Sequence, residues 1–89
     1  MPNTKAILRL SFNVIDQGQT IVIEEAKVAA ITRQGFWIKD DSENKFIPRT
    51  LISECDTDFD QVMLGEEITF EIPRWKATQL GFLDQSEIS

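Results

Sequence analysis

The chain has 89 residues, 42% of them hydrophobic and 27% charged, which suits one small domain and excludes a wholly disordered polypeptide. It has no histidine and a single cysteine, Cys55, which excludes Ser–His or Cys–His catalysis, an internal disulfide and a multi-thiolate metal site. Fifteen acidic and nine basic residues give a net charge of −6, which disfavours non-specific binding to duplex nucleic acid.

The apolar residues are too dispersed for a membrane span, and no basic and apolar leader opens the chain. We therefore expect a cytoplasmic protein with one domain over residues 5–83 and flexible termini at 1–4 and 84–89. The adjacent carboxylates Glu24 and Glu25, and likewise Glu66 and Glu67, would point to opposite faces of a strand, so we expect no enzymatic activity and no cofactor.

The first pattern is an alternation over 6–14 in which apolar residues occupy every even position, which predicts one strand. A turn follows at 16–19, and a second apolar run at 20–31 predicts the other arm of a hairpin. The phase of this second run changes midway. We expect a β-bulge near Glu24 and Glu25 that bends the strand.

The remaining elements are short. Further strands are predicted at 36–39, 45–47, 68–72 and 75–82. Between the second and third of these, apolar residues recur at helical spacing. Thr50 is a suitable N-cap and Gly65 a suitable stop, so we expect a short helix or helical loop there.

This order of elements predicts an all-β fold with a small α contribution. Specifically, it favours a small antiparallel β-barrel of five or six strands, OB-like, with an extra N-terminal strand. The first hairpin would pair 6–14 with 20–31. The residues expected on the inward face are Leu8, Leu10, Phe12, Val28, Ile68 and Phe70.

Residues 26–83 resemble a cold-shock domain of the OB-fold class. The segments that carry the resemblance are Ala26-Lys27-Val28, Gly35-Phe36-Trp37-Ile38, Lys45-Phe46-Ile47-Pro48-Arg49, Leu64-Gly65-Glu66-Glu67-Ile68-Thr69-Phe70, Ala77 and Leu80. The binding motif of that family is incomplete, because residues 28–31 contain no aromatic and because Phe36 and Trp37 are adjacent. The resemblance implies a domain that binds single-stranded nucleic acid.

Aromatic and basic residues alternate in two stretches of the sequence, as base stacking and phosphate contact together require. The candidate nucleic-acid-binding residues are Arg33, Phe36, Trp37, Lys39, Lys45, Phe46, Arg49, Arg74, Trp75 and Lys76. The competing interpretation is that these aromatics belong to the core of a small domain.

Acidic residues concentrate in 54–71 and support an alternative function. The chain would then be an acidic interaction module that meets a basic protein partner, as an inhibitor, adaptor, small subunit or nucleic-acid mimic. The residues of this alternative are Glu54, Asp56, Asp58, Asp60, Glu66 and Glu67. The spacing of Asp56, Asp58, Asp60 and Glu67 is EF-hand-like, but Gln61 stands where the loop needs glycine, so a solvated loop without metal is expected. Cys55 is expected to be a packed, unreactive thiol.

Overall fold

The computed structural model describes the backbone of residues 5–8 and residues 12–40 and 43–83, and shows mostly antiparallel β-sheet with one short helix. The strands are β1 (Lys5–Leu8), β2 (Asn13–Asp16), β3 (Thr20–Thr32), β4 (Gly35–Ile38), β5 (Lys45–Pro48), β6 (Glu54–Cys55) and β7 (Glu67–Pro73), and helix α1 is Arg74–Leu80. With only seven residues, α1 falls far short of a membrane span, and no other helix among the described residues is long and apolar enough to be one.

The long strand β3 organises the sheet. Its first half pairs with both β2 and β7, and its second half pairs with β4. β1 pairs with β2, β5 with β4, and β6 with β7, all antiparallel. Over the described residues these pairings do not close the sheet, so the coarse prediction of an antiparallel β fold is confirmed and a barrel is not shown.

The predicted bulge in β3 is confirmed. The register between β3 and β7 shifts between Ile23 and Ala26, so that Glu24 and Glu25 together face Thr69. Glu25 adopts φ 53°, and its amide donates a hydrogen bond to the Thr69 hydroxyl (3.3 Å). The extra residue bends the strand and returns the side chains of Ala26 and Val28 to the core. This explains why the apolar residues of the sequence shift from odd to even positions within β3.

The prediction of one strand over 6–14 is wrong. β1 and β2 are separate strands that pair with each other, with Lys5 opposite Asp16. An alternating pattern reports which face is buried and does not exclude a reversal of the chain within it. The prediction of a strand over 75–82 is also wrong, because this segment forms most of α1.

Helix α1 has clear start and stop signals that outweigh the strand interpretation. Pro73 precedes it in extended backbone (φ −63°, ψ 148°), and Gly81 ends it in the left-handed region (φ 88°). The amide of Phe82 donates to the carbonyl of Ala77 (2.9 Å), the outer bond of a Schellman motif. The residues between are mostly strong helix formers.

The segment between β5 and β7 is a helical loop, as expected, built of two single 3₁₀ turns at Arg49–Leu51 and Phe59–Gln61 around β6. Thr50 is not an N-cap, since Pro48 occupies that position. Gly65 lies in a turn with φ 81° and does not end a helix.

The core lies between the two halves of the bent sheet and the helix. Four of the predicted inward residues are buried there: Phe12, Val28, Ile68 and Phe70. Leu8 and Leu10 lie outside the described side chains. The ring of Phe82 packs edge-on against Phe12, with centroids 4.9 Å apart, so the capped end of α1 is held on the core.

We expect Glu25→Gly to stabilise the protein. Relief of the left-handed strain at Glu25, about 1–2 kcal/mol, exceeds the extra conformational entropy of glycine, about 0.5–1 kcal/mol. The free energy of unfolding in urea should rise by about 0.5 kcal/mol. Lys27→Gly on the same strand, where φ is ordinary, should instead lower it. Equal losses in both variants would contradict the role assigned to the bulge.

Candidate functional site

An aromatic pair lies on the outer face of the β4–β5 hairpin. Trp37 and Phe46 are direct cross-strand partners with ring centroids 5.2 Å apart, and Trp37 remains 38% exposed. Because successive side chains in a strand point to opposite faces, the neighbouring Phe36 points inward. It is fully buried and packs against Phe70, with centroids 5.5 Å apart. Phe36 therefore belongs to the core, and Trp37 to the surface.

Gly35 holds the ring of Phe46 close to the backbone of β4. A Cβ atom at Gly35 would lie 2.9 Å from Phe46 Cζ and closer still to the carbonyl oxygen of Ile47. Because Gly35 has no side chain, β5 and the Phe46 ring can approach the backbone of β4 closely. This approach sets the position of the Phe46 ring beside Trp37.

A groove of about 350 Å³ adjoins this pair. Its lining combines the pair with residues of the β4–β5 connection and with the end of α1: Trp37, Glu43, Asn44, Lys45, Phe46, Gln79 and Leu80. Gln79 and Leu80 were missed from the sequence because 75–82 was interpreted as a strand. The signal that could have predicted a helix here is the placing of Pro73 before, and Gly81 after, a segment made mostly of helix formers.

Two of the predicted cations, Arg33 and Lys39, are exposed and flank Trp37 along the chain. Arg33 lies in the turn before β4, and Lys39 follows the strand's last residue. Alternation places Lys39 on the same face as Trp37. Lys39 therefore lies on the face of the aromatic pair, and Arg33 lies in the turn at the other end of β4.

Two other predicted cations are held by carboxylates. The Lys45 ammonium lies 3.2 Å from Asp40, and both side chains are largely buried, at 15% and 8% exposure. The Arg74 guanidinium pairs with Asp16 and also donates to the carbonyl of Gly18. Arg74 thereby fastens the start of α1 to the turn before β3, a structural role.

Arg49 lies away from the aromatic pair. Its guanidinium carbon is 4.3 Å from the ring centroid of Phe59, and its nearest carboxylate is Asp60 at 3.8 Å. Phe59 in turn stacks on the buried Phe36 (6.0 Å between centroids). Arg49 therefore covers an edge of the core.

The last two predicted residues, Trp75 and Lys76, lie on α1. Trp75 is 59% exposed, more than any other aromatic side chain that the structure describes. The Lys76 ammonium lies 5.9 Å from the Trp75 ring centroid and donates a hydrogen bond to Gln79 Oε1 (2.7 Å).

Most acidic residues of the alternative site are exposed to solvent: Glu54, Asp56, Asp58, Asp60 and Glu67. The Asp56 carboxylate accepts the Thr69 amide (3.1 Å), and Glu66 accepts the Met63 amide (3.0 Å). Within residues 12–40 and 43–83, no three cysteine, aspartate or glutamate side chains are grouped to hold a metal ion.

Cys55 on β6 is half-buried between two grooves of about 350 and 240 Å³. Burial raises the pKa of its thiol, and the carboxylates of Asp56 and Glu66 raise it further, against the lowering effect of hydrogen bonds from the Thr57 and Asp56 backbone. The thiol is therefore protonated at neutral pH.

Comparison with known protein families, curated protein sequences and solved structures gives no significant match. The function must accordingly be inferred from the surface of this chain.

We expect Gly35→Ala to destabilise the protein by about 1–3 kcal/mol, the usual result of overpacking, when unfolding in urea is followed by circular dichroism. The double variant Gly35→Ala/Phe46→Ala should not recover this loss, because the nearest obstacle is the Ile47 carbonyl. A fully stable Gly35→Ala protein would show that β5 can move away from β4 at no cost.

We expect Cys55 to react slowly with iodoacetamide at pH 8. Since the native pKa is raised, the native thiol should alkylate more slowly than the urea-unfolded thiol, and the rate should still be rising above pH 9. The stability that the protonated thiol contributes is complete below the pKa of the unfolded thiol and is lost as the pH rises through the native value. Equal alkylation rates for both states would contradict this assignment.

Proposed function

We propose that the β4–β5 face binds single-stranded nucleic acid weakly, by base stacking on Trp37 and Phe46. The observation that carries this proposal is the exposure of Trp37 and its pairing with Phe46 on the solvent side of the sheet. A small domain with eight aromatics would ordinarily bury such a side chain. An exposed aromatic platform beside a groove is the feature that base stacking requires.

The arrangement of charges supports a weak and strand-selective interaction. Arg33 and Lys39 flank the platform, whereas Lys45 and Arg74 are already paired with carboxylates. Few phosphates can therefore be neutralised, so stacking supplies most of the binding energy. The bases of a duplex are stacked on each other and cannot reach the rings, which favours a single strand.

The proposal is consistent with the cold-shock resemblance of residues 26–83. In that interpretation β3, β4 and β5 are the first three strands of an OB-like unit, and β1 and β2 precede it. The aromatic binding face of the unit would be reduced to the pair on β4 and β5, because Phe36 belongs to the core.

The acidic surface supports a second candidate, a module that binds a basic protein. Two grooves meet at Glu54 and Cys55, and Glu54, Asp56, Asp58 and Glu71 line one or both of them. A basic peptide would find favourable charge there. The titrations below separate the two functions.

We expect Trp37→Ala and Phe46→Ala each to weaken binding of a labelled thymidine strand of about eight nucleotides. Loss of one stacking side chain costs about 1–3 kcal/mol, or about 5- to 150-fold in Kd. Fluorescence anisotropy at low salt measures it. The salt dependence should be shallow, corresponding to about two or three phosphate contacts.

Leu64→Ala is the matched control, because Leu64 is a strongly exposed apolar residue that does not line the groove. It should leave Kd unchanged, and a duplex of the same sequence should bind more weakly than the single strand. Absence of binding to any single strand, together with capture of a basic peptide that is lost in Glu54→Gln, would establish the acidic module instead.

A further inference from the structure

The outer face of α1 continues the aromatic surface of the hairpin. Trp75 and Gln79 are the exposed residues of this helix, and Ala77 on the opposite side is fully buried. Residues four apart lie on the same face, one turn and about 6 Å apart along the axis. Trp75 and Gln79 thus form a short strip on the side of α1 that faces solvent.

The two ends of this strip are fixed by contacts. At one end, Gln79 and Leu80 line the groove that also contains Trp37 and Phe46. At the other end, Lys76 connects the Trp75 ring to Gln79, through a cation–π contact at 5.9 Å and a hydrogen bond of 2.7 Å. The surface from Trp37 to Trp75 is therefore continuous, with Gln79 in the middle.

The position of the strip is rigid. The Arg74 guanidinium fastens the first turn of α1 to Asp16, and the buried Phe82 fastens its capped end to Phe12. The exposed ring of Trp75 is thus held at a set place relative to the hairpin, although nothing described covers it.

We infer that Trp75 is a second stacking platform of the same site, so that one single strand runs from Trp37 and Phe46 over Gln79 to Trp75. This inference rests on the proposed function. Lys76 contacts the backbone of the strand beside Trp75. The acidic Glu43 lines the groove at the hairpin end, so the phosphates are expected on the Lys76 side of this path.

A length series with Trp75→Ala tests the inference. The probes are labelled thymidine strands from two nucleotides up to about eight, within the range of site sizes of small single-strand-binding domains. For the wild-type protein, affinity should rise steeply once a strand spans both platforms. Trp75→Ala should bind the dinucleotide as the wild type does and lose about 5- to 150-fold in affinity for the longest strand.

Two further variants exclude a merely structural effect. Trp75→Phe keeps an aromatic ring and should retain most of the affinity for the longest strand. Lys76→Ala should reduce the slope of log affinity against log salt by about the contribution of one phosphate contact. Because Trp75 is mostly exposed, the circular dichroism and Tm of Trp75→Ala should match those of the wild type.

The outcomes distinguish the two proposals. If Trp37→Ala weakens binding while Trp75→Ala binds the longest strand like the wild type, the second platform is wrong and the proposed function stands. An equal loss for short and long strands in Trp75→Ala would also overturn the two-platform path. If no strand binds the wild-type protein, both proposals are overturned.

Discussion

The bulge at Glu24 and Glu25 is the constraint on which the rest of the fold depends. A straight strand of 13 residues would extend beyond a domain of this size with one end unpaired. The bulge bends β3 while β7 pairs with it on both sides of the bulge, from Thr20 to Lys27; β2 pairs only with residues up to Glu24, and β4 only with residues from Val28 onward. The left-handed backbone of Glu25 is the local cost of this bend. Alternate residues of the hairpin, Phe36 and Ile38, pack on the core, which leaves the Trp37–Phe46 pair on the outer face.

Helix α1 determines what lies beside the outer face of the β4–β5 hairpin. A strand over 75–82 would have continued the sheet and left the hairpin without a neighbour on its outer side. Instead, Pro73 and the Schellman cap at Gly81 restrict this segment to two turns of helix. The Arg74 and Phe82 contacts then place its last turn next to the hairpin. The groove is therefore a product of helix capping as much as of sheet pairing.

Alternation predicts β7, and its change of phase predicts β3 with the bulge, whereas the turn residues on either side predict the short strands β4 and β5. Alternation failed for 6–14, since a reversal of the chain leaves alternation intact, and for 75–82, where capping residues outweigh a weak pattern. Only part of the candidate surface can be predicted from the sequence. Strand alternation is enough to place Trp37 and Lys39 on one face. The ion pairs of Lys45 with Asp40 and of Arg74 with Asp16 form only in the folded chain, so the sequence does not show that these cations are paired.

The ion pairs also determine what an acidic protein can recognise. Each cation that pairs with a carboxylate is withdrawn from contact with phosphate, and the net charge of −6 repels a polyanion at longer range. Under the proposed function, a nucleic-acid ligand would gain its binding energy over short distances, where contact between rings and bases offsets the long-range repulsion. Raising the salt concentration screens the repulsion as well as the few attractive contacts, so the two effects partly cancel. Under that proposal a duplex would bind less well, because a duplex brings a higher density of charge and offers no unstacked base in return.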